Sequence, residues 1–227
     1  EKSKNSFKLV SKESANGSSG FLFWIFLFIL VYIAILLTMN RNLVFKIFKA
    51  VWFYNLTNNL LRNFLNRDYL FYLLLSINFI LNLATFVYLV FSKFEIYSGF
   101  HFWLLLVVAV LVVYFFKHLF IYLFQEVFSS LKSLTLYNFT VLLFNISLGF
   151  MLLPLNMIIA YGFDSLSFFL LYFTMGLMGL YLILRLFRGF LITYSYFNIS
   201  IVHFFLYLCA FEILPLLFFY KLLTINL

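Results

Sequence analysis

Long apolar stretches separated by short polar segments dominate the hydrophobicity pattern of this chain. Six of the stretches have about the length that an α-helix needs to cross a hydrocarbon core. They cover residues 21–39, 69–91, 102–124, 137–160, 166–186 and 199–223. The pattern predicts an all-α fold, a polytopic membrane bundle of about six transmembrane helices, with residues 21–227 forming one transmembrane domain.

Two segments depart from this pattern. Residues 1–20 are polar and basic and end in a Gly/Ser cluster, so we expect a flexible tail. Residues 41–66 combine helically spaced apolar residues with Arg41, Lys46, Lys49 and Arg62. These charges interrupt the apolar residues too often for a spanning helix. We therefore expect an amphipathic segment in the headgroup region, with a docking surface or a bent, partly inserted hairpin as alternatives.

Composition supports a membrane location. The chain is 66% hydrophobic and 10% charged, whereas soluble proteins are about 45–50% apolar and about 25% charged. The net charge of +8 does not by itself indicate nucleic-acid binding, because basic residues gather at the cytoplasmic ends of membrane helices. Their distribution predicts a cytoplasmic position for residues 41–66, with both termini outside.

Polar residues inside the apolar stretches are the candidate functional groups. Asn138, Asn145 and Asn156 are 7 and 11 residues apart, which places them within about 20° of one direction on a helix. Asn78 and Asn82 also share a helical face. These amides either hold helices together or line a polar cavity.

Glu212 lies near the centre of the last apolar stretch, where an ionised carboxylate is costly unless it is paired or hydrated. A neutral, hydrogen-bonded side chain, a salt bridge and a role in proton transfer or substrate binding are all compatible with this position. His203, in the same stretch, is nine residues away and half a turn out of phase.

Two basic pairs, Arg185 with Arg188 and Lys117 with His118, are expected at the cytoplasmic end of the bundle. A guanidinium group can bind two phosphate oxygens at once, so these residues are candidates for contacts to lipid or polyprenyl phosphates. Ordinary headgroup anchoring explains them equally well. One cysteine and three histidines, without a recognisable catalytic motif, predict no catalytic residues, no metal site and no cofactor.

Three runs of the sequence resemble an uncharacterised family of polytopic inner-membrane proteins from the Bacteroidetes, catalogued as a domain of unknown function. The runs are LLFNISLGFMLLPLNMIIAYG (142–162), LYLILRLFRGF (180–190) and HFFLYLCAFEILPLLFFYK (203–221). The resemblance extends over most of residues 20–223. It implies a bacterial inner-membrane location and no specific activity.

Three functions are compatible with these features. The first is a non-enzymatic inner-membrane subunit of a larger envelope assembly, such as a secretion or translocation apparatus, with lipids and other membrane proteins as its partners. The second is a lipid-linked enzyme or flippase that acts on phospholipid or polyprenyl-phosphate headgroups. The third is a small proton-coupled transporter that uses Glu212.

Overall fold

Helices form the whole of the described architecture. The structure, a computed structural model, describes residues 2–64, 69–94, 99–127 and 131–196, and within these ranges it contains six helices and no strand. The helices are α1 (Lys2–Trp52), α2 (Tyr54–Asn63), α3 (Tyr69–Lys93), α4 (Phe100–Val127), α5 (Leu131–Tyr161) and α6 (Asp164–Tyr196). The all-α fold predicted from the sequence is confirmed.

Five of the helices are long and apolar enough to cross a membrane. The candidate spans are Gly20–Val51, Tyr69–Lys93, Phe100–Leu119, Thr135–Tyr161 and Asp164–Gly189. The protein is therefore a helical membrane protein. The sixth stretch predicted from the sequence, residues 199–223, lies outside the described residues.

Helix α1 is broken at Asn40, whose backbone has a non-helical φ of −155° and ψ of 72°. The Asn40 Oδ1 atom accepts a hydrogen bond from the backbone N–H of Leu43 at 3.2 Å. Asparagine is a favoured N-terminal cap because its side chain satisfies an otherwise unpaired amide there. Asn40 therefore ends one helical limb and starts a second limb, residues 41–52.

Helices α3 and α5 form the interior of the bundle. They pack against each other, and α5 also contacts α1, α2, α4 and α6. Gly149 of α5 faces Phe79 of α3 so closely that a Cβ atom added to the glycine would lie 2.7 Å from the Phe79 Cα atom. Glycine is required at this crossing because any side chain would push the two backbones apart.

Two apolar clusters lie one above the other along α3 and α5. One cluster joins the first limb of α1 to α3, α4, α5 and α6, with Ile29, Leu152 and Leu171 at its centre. The other joins the second limb of α1 and α2 to α3 and α5, with Ile47, Leu75 and Ile146 at its centre. The amphipathic segment is thus packed onto the bundle along one face.

Two further features bear on the sequence analysis. The backbone of the expected tail is helical from Lys2, as the beginning of α1; its flexibility stays a prediction. Helix α5 continues through Pro154, an exposed position.

Candidate functional site

Two asparagines of α5 contact side chains on neighbouring helices. Asn138 Oδ1 lies 3.2 Å from His118 Nδ1 of α4. Two turns further along, Asn145 Oδ1 accepts a hydrogen bond from the guanidinium of Arg185 on α6 at 3.2 Å. Seven residues correspond to a rise of about 10 Å along the helix. The stripe on α5 therefore contacts α4 and α6 at two different heights. The stripe predicted from spacing thus contacts more than one helix.

The third asparagine of the stripe binds α3. Asn156 Nδ2 donates to the backbone oxygen of Asn82 at 2.9 Å. Asn82 in turn donates to Asn78 Oδ1 at 2.9 Å and to the Asn78 backbone oxygen at 3.0 Å. All three side chains are fully buried. Asn156 of the α5 stripe therefore joins Asn78 and Asn82 in one amide cluster between α3 and α5.

This amide cluster keeps unused hydrogen-bonding capacity. Asn78 Nδ2, Asn82 Oδ1 and Asn156 Oδ1 are buried and have no hydrogen-bond partner in the described part of the chain. A buried amide atom without a partner costs free energy, and native proteins rarely leave one unexplained. The cluster consequently joins α3 to α5 while three of its amide atoms have no partner in the described part of the chain.

The basic candidates occupy buried or half-buried positions. Lys117 is 8% exposed and Arg185 is 9% exposed. The Lys117 ammonium lies 5.8 Å from the centroid of the Tyr114 ring, a distance that allows a cation–π interaction. The contact of Lys117 with lipid phosphate stays a prediction, as it does for His118, Arg185 and Arg188.

Arg188 joins α6 to the corner between α1 and α2. One terminal nitrogen donates to the backbone oxygen of Val51, and the other donates to Thr57 Oγ1 at 2.8 Å. Thr57 itself donates to the backbone oxygen of Ala50 at 3.3 Å. The last carbonyl groups of a helix lack intrahelical partners, so a planar guanidinium with several donors suits this corner. We call these contacts the Arg188 clamp.

Two polar contacts at other positions were not anticipated from the sequence. Lys93 at the end of α3 forms a salt bridge of 3.0 Å with Asp164 at the start of α6. Trp103 of α4 donates to Thr85 of α3 at 3.2 Å. The signal for the first was available, because Lys93 closely follows one predicted apolar stretch and Asp164 closely precedes another.

Other predicted site residues cannot be placed. Glu212 and His203 lie outside the described residues. In the described ranges, no group of three or more His, Cys, Asp or Glu side chains could hold a metal ion.

The fold and these contacts define a membrane protein built from a helical bundle with hydrogen-bonded polar groups between its helices. The model of the family described as "Domain of unknown function (DUF4271)" matches residues 22–223. The chain belongs to this family, as the resemblance implied. Comparison with curated proteins and with solved structures gives no match.

Proposed function

We propose that this protein is a non-enzymatic subunit of a larger envelope assembly in a bacterial cytoplasmic membrane, with a secretion or translocation apparatus as one example. One observation carries the proposal. The candidate polar side chains whose partners are described bind neighbouring helices, as in the pairs Asn138 with His118 and Asn145 with Arg185. Such contacts hold a bundle in one arrangement, which is what a scaffold requires.

The outward faces of α4 and α6 support the same proposal. Their exposed side chains are large and apolar, including Leu105, Phe115, Phe169 and Phe173. Apolar side chains on a membrane helix can face lipid or another helix with equal ease, since lipid tails are as apolar as leucine. In the described part of the chain these side chains are exposed, so a helix of a partner protein can pack against them.

Photocrosslinking in living cells tests this proposal. A photoreactive phenylalanine analogue replaces Phe169 on α6 or Phe115 on α4, and in a matched control it replaces Phe139, which is 3% exposed. We expect protein adducts of discrete mass at the exposed positions and none at Phe139. The adduct partner should also copurify stoichiometrically in mild detergent. Lipid adducts alone, together with a purified monomer, would contradict the assembly role.

A transporter is the second candidate, and the unused amide atoms of Asn78, Asn82 and Asn156 favour it. Amide groups in a membrane interior can bind a small polar substrate. The substitution Glu212→Gln separates the two candidates because it preserves shape while removing the titratable proton. A scaffold keeps its assembly and its cellular phenotype after this change, whereas a proton-coupled transporter assembles normally and loses the phenotype.

A further inference from the structure

Residues 41–63, the second limb of α1 together with α2, form a layer at the end of the bundle where α3 begins. We call this layer the basic platform. Its inner face is buried: Ile47 and Ala50 have no exposed surface, and Leu60 is 4% exposed. These residues pack with Tyr72 of α3 and Phe139 of α5. The same side of the platform therefore always faces the bundle.

The outer face of the platform carries cations and phenyl rings. Its exposed basic residues are Arg41, Lys46, Lys49 and Arg62. Phe45 is 54% exposed and Phe53 is 64% exposed, and the Arg41 guanidinium lies 5.5 Å from the centroid of the Phe45 ring. A surface that alternates cations with exposed aromatic rings is typical of helices that lie at a membrane interface.

The positive charge of this face is not balanced within the neighbouring sequence. Residues 14–67 contain no aspartate or glutamate. In the described ranges a salt bridge joins Lys93, at the C-terminal end of α3, to Asp164, at the N-terminal end of α6. These helix ends lie away from the platform. Four exposed cations in a segment without acidic residues therefore favour an anionic partner.

The Arg188 clamp fixes this surface in place. Arg188 holds both the end of the second limb, at Val51, and α2, at Thr57. Because the buried face and the clamp restrain the platform from two directions, the backbone that carries its cations is positioned before any ligand arrives. Such preorganisation reduces the entropy that binding must otherwise remove.

We propose that the outer face of the basic platform binds the headgroups of anionic phospholipids in the adjoining leaflet. The phosphate oxygens pair with Arg41, Lys46, Lys49 and Arg62, while Phe45 and Phe53 enter the boundary between headgroups and acyl chains. The platform lies between two candidate spans: that of α1 continues through Asn40 and ends at Val51, within the platform, and that of α3 begins at Tyr69, after it. This proposal does not depend on the assembly function.

Native mass spectrometry of the full chain in detergent tests the proposal. The protein is titrated with dioleoylphosphatidylglycerol or with dioleoylphosphatidylcholine, and the ratio of the two affinities is measured. We expect the wild-type chain to prefer phosphatidylglycerol. Replacing Arg41, Lys46, Lys49 and Arg62 together by glutamine should lower this preference by about fivefold or more, because each cation near an anionic surface adds to the attraction.

Two controls make the result specific. Replacing Lys2, Lys4, Lys8 and Lys12 by glutamine removes the same four charges from another part of the chain, and this variant should keep the preference of the wild type. A variant that exchanges lysine and arginine at the four platform positions should also keep it. If the quadruple platform variant does not fold, the double variant Lys46→Gln/Lys49→Gln provides the comparison and should show a smaller loss.

Three outcomes would overturn the proposal. The wild-type chain could bind both lipids equally. The platform variant could retain the full preference. The tail variant could lose as much as the platform variant, which would show that net charge alone attracts the lipid. A platform that binds an acidic protein segment instead of lipid would give the second outcome.

Discussion

Helices α3 and α5 contrast with α4 and α6, although all four are apolar enough to cross a membrane. In the most apolar stretch of each helix, 61% of the residues are buried for α3 and α5, against 17% for α4 and α6. The buried pair carries the asparagines and the close glycine contact, whereas the other two present exposed Leu, Val and Phe. Hydropathy therefore marks the spans, but polar and small residues mark the helices at the centre. Four predictions test this contrast.

The largest effect is expected at the contact between α3 and α5. Gly149→Leu should destabilise the protein by about 3 kcal/mol, because even a Cβ atom there meets the backbone of Phe79. In the matched control Gly176→Leu on α6, the added Cβ meets nothing within 4 Å, so stability should change by less than about 0.5 kcal/mol. Unfolding in a detergent titration measures both. Equal losses would show that α6 is as tightly packed as α5.

The next effect is expected at Asn145. Asn145→Leu removes the acceptor of a hydrogen bond from the buried guanidinium of Arg185. Because hydrogen bonds to charged groups are stronger than neutral ones, the loss should be about 2 kcal/mol. A double-mutant cycle with Arg185→Met measures the coupling between the two residues. A coupling energy near zero would mean that this contact does not hold α5 and α6 together.

A smaller effect is expected at Asn156, whose amide binds the backbone of Asn82. Asn156→Leu should lower the free energy of unfolding by about 1 kcal/mol, the usual value for a hydrogen bond between membrane helices. Ile158→Leu, at an exposed position of the same helix, serves as the control and should have little effect. An increase in stability after Asn156→Leu would indicate that the unpaired amide atoms cost more than the hydrogen bond contributes.

The smallest effects are expected on the exposed faces. Leu105→Val on α4 and Phe169→Leu on α6 should each change the free energy of unfolding by less than about 0.5 kcal/mol, because neither side chain is buried in the bundle. The yield of copurified partner is measured in the same samples. A loss of partner with unchanged stability would sharpen the contrast by locating an interface on the affected helix. A loss of stability above about 1 kcal/mol would show that these faces belong to the core.

The sequence did not reveal which residues the basic pair Arg185 and Arg188 contacts. Spacing placed Arg185 and Arg188 on one helical face, and it suggested phosphate for both. In the folded chain Arg185 binds Asn145, 40 residues earlier, and Arg188 binds Val51 and Thr57, more than 130 residues earlier. Neither partner can be derived from periodicity, because periodicity describes one helix and contains nothing about which helix lies beside it.

The amide cluster shows the same difference between what spacing along one helix predicts and what the contacts between helices decide. The four-residue spacing of Asn78 and Asn82 predicted their shared face, and 7- and 11-residue steps predicted the stripe on α5. That Asn156 meets Asn82, while Asn145 meets α6, depends on how α5 crosses each neighbour. Crossing geometry follows from side-chain packing over the whole contact, with the close approach at Gly149 as one determinant.

By itself the sequence determined that this is an all-helical membrane protein. It also predicted apolar stretches that overlap the five candidate spans, although the first of these spans continues beyond the predicted residue 39 to Val51. The physical reason is that a lipid solvent constrains each segment separately: a span must be long and apolar and must satisfy its own backbone hydrogen bonds. The tertiary structure alone decided that α3 and α5 are central, that Arg188 clamps the corner of α1 and α2, and which face of the basic platform is exposed. These features depend on contacts between distant residues, and lipid gives little preference among alternative arrangements of equally apolar helices.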